Sequence, residues 1–240
     1  MAKKIITVGN VKGGVGKTRI ATGLATMFSY GKYKVLLVDA DIQDSSINYR
    51  KRRSDLADDI KKNPEIKKEW NLKYDSIPEF QTVKLRSTTI EKDLAGFDHD
   101  IIIIDTGGRD DPEFRSCVFA SDYFIMPVKP SLDDLESTKE AIDIWNKIIT
   151  IGKDIKAGIV QNMVLPNKRI KFNQSFADLI KETTKENGLK EFRGKLHQRL
   201  AYFESASFGL NVNEIKEKNY ETANKEFTNF YKEVKKWLEI

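Results

Sequence analysis

Cysteine is almost missing: Cys117 is the only one in 240 residues. An intrachain disulfide is therefore impossible, and no iron–sulfur or zinc cluster can be built from this chain's cysteines alone. That absence points to a reducing, cytoplasmic setting. No apolar run approaches the roughly 18 residues that a membrane-spanning helix requires. Met1-Ala2-Lys3-Lys4 leads straight into a strand-like run, without the pattern of a signal peptide. Residues 150–240 hold no Gly/Ser/Pro-rich linker, no repeat and no low-complexity tract. Nothing ahead of the first strand leaves room for an N-terminal helix-turn-helix. A large excess of one charge is missing too: 41 Lys plus Arg stand against 36 Asp plus Glu, a formal +5. Such a balance permits contact with nucleic acid or an anionic membrane, and suits a mildly basic soluble protein equally well. With 40% hydrophobic and 32% charged residues, the chain reads as one soluble, globular α/β domain over residues 1–240.

The most informative stretch present is Lys12-Gly13-Gly14-Val15-Gly16-Lys17-Thr18. Before it, Ile5-Ile6-Thr7-Val8 is an apolar, β-branched run that reads as a buried strand. After it, Ile20, Leu24 and Met27 recur at helical spacing, so a helix is expected over 17–30, ended by Gly31. Glycines between a strand and a helix start are the setting of a phosphate-binding loop. They let the backbone turn tightly and aim successive N–H groups at one anion, and the helix N-terminus adds partial positive charge. In such a loop Lys17 reaches the β and γ phosphates and the Thr18 hydroxyl binds Mg²⁺.

Two more strands end in carboxylates. Val35-Leu36-Leu37-Val38 runs into Asp39-Ala40-Asp41-Ile42-Gln43, and Ile101-Ile102-Ile103-Ile104 into Asp105-Thr106-Gly107-Gly108. Their unbroken apolar character suggests a parallel sheet covered on both faces, where ligands sit at the carboxyl ends of strands. Asp105 then has the Walker B arrangement and would hold Mg²⁺, with mobile glycines beside it. The Asp39/Asp41 pair can also be read as an acidic cap of the next helix. Further strands are expected at 123–128 and 157–160, a helix from about 132 to 150 capped by Ser131, and a closing helix from Tyr220 to Ile240. Residues 54–82 are hard to read. They contain a possible strand near 72–77, and Thr88-x-x-Glu91 looks like a capping box opening a short helix to about Gly96.

The loop departs from the common G-x-x-x-x-G-K-[ST] spacing: Val11 stands where a glycine is usual, and Lys12 precedes the Gly-Gly pair. In this it resembles the deviant loop K-G-G-x-G-K-[ST] of the ParA/MinD family of ATPases, and D-x-D-x-Q resembles that family's switch I, with Ile42 in place of the usual proline. The resemblance implies a P-loop NTPase-like α/β fold: a doubly wound, mostly parallel sheet flanked by helices. It implies ATP and Mg²⁺ as cofactors, held by Gly13, Gly14, Val15, Gly16, Lys17, Thr18 and Arg19, with Asn162 reading the adenine edge. A lone Asn at a strand end is otherwise an ordinary turn residue. Thr18, Asp41 and Asp105 would serve the metal, Asp41 would orient the attacking water, and Asp39 would support the site from behind. Lys12 would cross an ATP-dependent homodimer interface to the partner's nucleotide. The expected protein is a small partition ATPase, weak until stimulated by a ParB-like centromere-binding protein, and bound to the nucleoid when ATP-loaded.

Non-specific DNA contact falls by this resemblance on Lys168, Arg169, Lys171, Arg193, Lys195 and Arg199. The interleaved Phe172, Phe176 and Phe192 read as core. The basic run Arg50-Lys51-Arg52-Arg53 is a solvated helix face or a DNA contact. In the closing helix Ala223, Phe227, Phe230, Val234, Trp237 and Leu238 form an apolar stripe, which packs on the sheet or, in a MinD-like positioning ATPase, meets a membrane. An ATP-dependent synthetase with a similar loop is a third reading, but no substrate-pocket motif stands out for it.

Overall fold

The computed structural model describes residues 3–166 and 171–240. Its framework is a seven-stranded sheet: β1 (Lys4–Val8), β2 (Val35–Ala40), β3 (Gln81–Lys84), β4 (Ile101–Thr106), β5 (Tyr123–Val128), β6 (Lys156–Gln161) and β7 (Lys190–Glu191). The strand order is β3-β2-β4-β1-β5-β6-β7 and every pairing is parallel. Nine α-helices are described: α1 (Lys17–Tyr30), α2 (Ser45–Lys62), α3 (Glu65–Glu69), α4 (Ile90–Asp93), α5 (Pro112–Phe119), α6 (Leu132–Thr150), α7 (Lys171–Glu186), α8 (Leu200–Ser207) and α9 (Glu221–Trp237).

Successive side chains on a strand point to opposite faces, and β4 shows what its run of isoleucines is for. Ile101 and Ile103 join a core formed with α1, α8 and α9. Ile102 and Ile104 join one formed with α4 and α5. Phe124, Met126 and Val128 of β5 pack on α5, α6 and α7. Both faces are therefore covered, which is why the strands carry no polar alternation. The stripe of α9 is spent in the same way: Ala223, Phe227, Phe230, Val234 and Leu238 are buried and Trp237 packs beside them. No apolar face of that helix is left over for a membrane. Among the described residues, no helix is long and apolar enough to cross one.

Several local expectations are corrected. No strand forms at 72–77; Leu72 makes one antiparallel bridge to Ile215. The edge strand lies instead at β3, which is only half-buried and so lacks an apolar signature. Helix α2 extends beyond the basic run to Lys62, because nothing breaks it before Pro64. Its buried positions are Ser46, Tyr49, Arg53 and Ala57, a helical face in which two members are polar. Arg53 is thus no solvated residue. It is fully buried and gives a bidentate ion pair to Glu214 at 2.8 and 2.9 Å. The Thr88 capping box does not form; α4 starts at Ile90 with Thr89 before it. Gly31 does close α1, but the left-handed residue is Lys32. Phe172 is exposed, whereas Phe176 and Phe192 are core.

Candidate functional site

The carboxyl ends of β1, β2 and β4 lie side by side, with Val8 opposite Asp105 and Asp105 opposite Asp39. The glycine-rich loop leaves β1 at this edge and enters α1. Gly14 and Gly16 take left-handed backbone conformations, φ 73° and 88°. Gly16 occupies the N-cap position with no side-chain cap, and α1 carries no acidic residue in its first turn. Its first N–H groups thus keep their partial positive charge for an anion.

Each lysine of the loop has a defined place. Lys17 is buried, and its ammonium group donates to the Lys12 carbonyl at 2.8 Å. Burial pulls its pKa down while Asp105 and Asp41 pull it up. The Lys12 side chain is one-third exposed, and its ammonium lies 3.9 Å from Asp134 and 4.0 Å from Asp133, at the start of α6. Asp134 is itself buried and is held by Ser131, whose hydroxyl also caps α6.

Asp105 is fully buried. Ser46 donates to one of its oxygens at 2.8 Å, and the other, Oδ1, has no partner of hydrogen-bond geometry. Burial pushes this carboxyl up to about 7, against the pull of the Thr18 and Ser46 hydroxyls and Lys17. An orphaned carboxylate oxygen beside a hydroxyl suits a hard cation. Asp39, also buried, accepts the backbone N–H groups of Asp41 (3.1 Å) and Ile47 (2.9 Å). It braces the turn and the first turn of α2, so the helix-cap reading describes Asp39. Asp41 instead accepts from the Gln43 backbone and lines an open cavity of about 420 Å³ with Lys17, Thr18 and Gly107.

Gly108 completes the wall. A Cβ there would come within 2.7 Å of the Gly13 nitrogen, so the glycine allows this backbone to lie against the loop. Arg86 and Arg109 also line the cavity. No motif singled them out. Ser46 and Asn10 were missed as well: buried Asn10 bonds to the Pro127 carbonyl, the Thr138 hydroxyl and the Lys12 N–H, tying the loop to β5 and α6. A polar residue directly after a strand and before a glycine loop was the only signal for Asn10.

On the loop's other side lies a second cavity, about 680 Å³, reached past Gly16 and Thr18. Asn162 stands at its entrance, donating to the Val15 carbonyl at 2.7 Å. The Arg19 guanidinium turns away from the loop toward α8, where it bonds to Tyr202 and Ser205, and to Leu210 just beyond that helix. Of the basic residues proposed for DNA, Lys168 and Arg169 lie outside the described residues. Lys171 and Arg193 are exposed and Lys195 is partly so. Arg199 is engaged by Glu226.

The family described as "CobQ/CobB/MinD/ParA nucleotide binding domain" matches residues 6–212. The maintenance of carboxysome distribution protein A of Gloeobacter kilaueensis is 24% identical over 232 residues, 96% of this chain and 94% of its own. A variant of McdA from Cyanothece in complex with ATP superposes with a TM-score of 0.74 at 16% identity, covering 99% of this chain and 97% of that one. A plasmid partition protein of Borrelia burgdorferi bound to AMPPNP gives 0.65 at 20% identity, covering 97% and 100%. At these identities the solved structures speak for the fold.

Proposed function

The chain belongs to the CobQ/CobB/MinD/ParA nucleotide-binding family, and on that premise we propose that it is an ATP-driven dimerisation switch that positions a large cargo, DNA first. The observation that carries this reading is the pair of lysines in one loop. Lys17 is buried against the loop's own backbone, while Lys12 is partly exposed beside Asp134. A single bound nucleotide needs only the first. Two nucleotides brought face to face repel each other, and a second lysine from each subunit offsets that repulsion.

In this reading residues 1–240 act as one ATPase domain. The backbone from Gly13 to Arg19 and the Lys17 ammonium bind the phosphates, and Asn162 contacts the adenine. The orphaned Asp105 Oδ1, Thr18 and Asp41 fit Mg²⁺ and would hold it. When bound, the ion neutralises charge on the transferring phosphoryl group. Asp41 orients the attacking water. Hydrolysis is slow until a ParB-like partner stimulates it. The ATP dimer aligns basic surface of both subunits, including Lys171, Arg193 and Lys195, against DNA phosphates. The protein is then cytoplasmic and nucleoid-bound only when ATP-loaded. Relatives named for plasmid partition and for carboxysome distribution give two cargo classes, DNA and a protein body.

The test is binding to random-sequence duplex DNA without nucleotide, with ADP, with ATP and with a slowly hydrolysed analogue, at two salt concentrations. Binding is expected only with ATP or its analogue, with Kd on the order of 10⁻⁴–10⁻⁶ M at physiological salt and a steep loss as salt rises. ATP turnover without DNA binding in any state overturns the DNA track; binding to anionic vesicles would then favour a MinD-like membrane positioner.

A further inference from the structure

The glycine loop has a cavity on each side. The 680 Å³ cavity opens past Gly16 and Asn162. The 420 Å³ cavity is lined by Lys17, Thr18, Asp41, Gly107 and Gly108, and by two arginines, Arg86 and Arg109.

Arg109 is placed by the backbone ahead of it. Strand β4 ends at Thr106, and Gly108 then lies against the loop: a Cβ on it would come within 2.7 Å of the Gly13 nitrogen and 2.8 Å of the Gly13 Cα. The Cα of Arg109 follows about 3.8 Å further on, so this arginine is tethered beside the first glycine of the loop. Arg86 instead follows β3, the edge strand, three places along the sheet from the β1 end where the loop begins.

Arg109 is exposed, and its guanidinium has no anion of its own. The carboxylates next to it in the chain are already engaged. Asp110 accepts both Nε and Nη2 of Arg115 at 2.7 Å, and Asp111 accepts the Phe114 N–H at 2.8 Å as the N-cap of α5. Asp41 accepts the Gln43 N–H. Among the described residues Arg109 makes no ion pair and no side-chain hydrogen bond. An unpaired guanidinium fork suits an anion that presents two oxygens side by side, as a terminal phosphate does.

We propose that Arg109 binds the third phosphate of ATP within its own subunit, and that this contact makes the site prefer ATP to ADP. The inference rests on the proposed function. With the base on the Gly16 and Asn162 side, the row of phosphates runs along the loop and its far end emerges in the 420 Å³ cavity. A diphosphate stops short of that end and leaves Arg109 without a partner. Lys12 then serves the nucleotide of the other subunit and Arg109 that of its own.

Calorimetry on the full chain with Mg²⁺ measures the Kd of ADP and of a slowly hydrolysed ATP analogue, for the unaltered protein, Arg109→Ala, Arg109→Lys and Arg86→Ala. In Arg109→Ala the Kd of the analogue is expected to rise about thirtyfold, while that of ADP stays within about twofold. Arg109→Lys should recover only part of the loss, because an ammonium cannot reproduce the fork. Arg86→Ala should keep the ratio of the two Kd values within about threefold. Arg109 has no protein partner to lose, so urea unfolding of Arg109→Ala without nucleotide should match that of the unaltered protein. An unchanged analogue Kd in Arg109→Ala overturns the proposal. Equal weakening of the analogue and ADP also overturns it, since Arg109 would then act on the loop or on a phosphate that both nucleotides share. So does a preference lost in Arg86→Ala and kept in Arg109→Ala. All three results leave nucleotide binding by the unaltered protein intact; an unaltered protein that binds neither nucleotide overturns the proposed function, and this inference with it.

Discussion

The Lys17 ammonium nitrogen lies 2.8 Å from the carbonyl oxygen of Lys12. One lysine of the loop thus rests on the backbone of the other, while the Lys12 side chain points to Asp134. In the proposed function a phosphate entering the loop would take the carbonyl's place, and the Lys17 ammonium would exchange a neutral acceptor for an anionic one.

Lys17→Met separates binding from stability. The buried ammonium makes one bond to a neutral carbonyl and has lost much of its hydration. Its removal should leave the unfolding free energy within about 1 kcal/mol, while ATP affinity falls by about 10²-fold. Urea unfolding and calorimetry on the same preparation check both halves. A large loss of stability would mean that Lys17 braces the fold.

Lys12→Ala should retain ATP binding by the monomer and lose the ATP-dependent dimer, read by light scattering after gel filtration. Wild-type dimerisation of this variant would remove the reason for placing Lys12 across an interface.

Gly16→Ala and Gly13→Ala should behave differently. Gly16 has φ 88°, and a Cβ there would lie 2.2 Å from the Asn162 amide nitrogen. That substitution is expected to cost about 1–3 kcal/mol of stability and to abolish nucleotide binding. Gly13 has no atom within 4 Å of its would-be Cβ, so Gly13→Ala should unfold like the unaltered protein. Equal stability of the two variants would contradict the loop geometry.

Arg53→Met leaves Glu214 as an unpaired buried carboxylate, at a cost of about 3–5 kcal/mol in urea unfolding. Arg53→Lys should recover little, because one ammonium cannot reproduce the fork to both Glu214 oxygens. Burial lowers the Arg53 pKa, but Glu214 and the nearby Tyr49 raise it further, leaving it above its ordinary value. Arg53 therefore stays a cation through neutral pH.

Acid should weaken the fold partly through Glu226. Its pKa drops from an ordinary 4.5 to about 2 on folding. A depressed acid contributes stability that is complete above the unfolded value and is lost as pH falls through the folded one. The contribution, on the order of 2 kcal/mol, should fade between about pH 5 and pH 2. Glu226→Ala should flatten stability against pH across that window relative to the unaltered protein; parallel curves would deny Glu226 any linkage.

Much of the site was legible because its parts are contiguous in sequence. Strand, glycine loop and helix start are encoded within 20 residues or so, and Asp39, Asp41 and Asp105 each follow their own apolar run. The basic residues were not legible in this way. Arg53 looked like one member of a four-residue cationic run, and its partner Glu214 is 161 residues away. Arg19 stood next to the phosphate loop, yet its guanidinium bonds to α8. The short edge strand β3 was missed because it is half-exposed and lacks the apolar run that marked the others.

The sequence by itself therefore determined the central strands, their parallel, doubly covered sheet and the phosphate-binding loop. Backbone conformation and side-chain alternation are local properties, and the residue types state them directly. Tertiary structure alone decided which charges are free. Lys12 faces Asp134, Arg53 faces Glu214 and Arg199 faces Glu226. An ion pair forms only where packing brings two distant segments within a few ångströms, and no spacing along the chain records that approach.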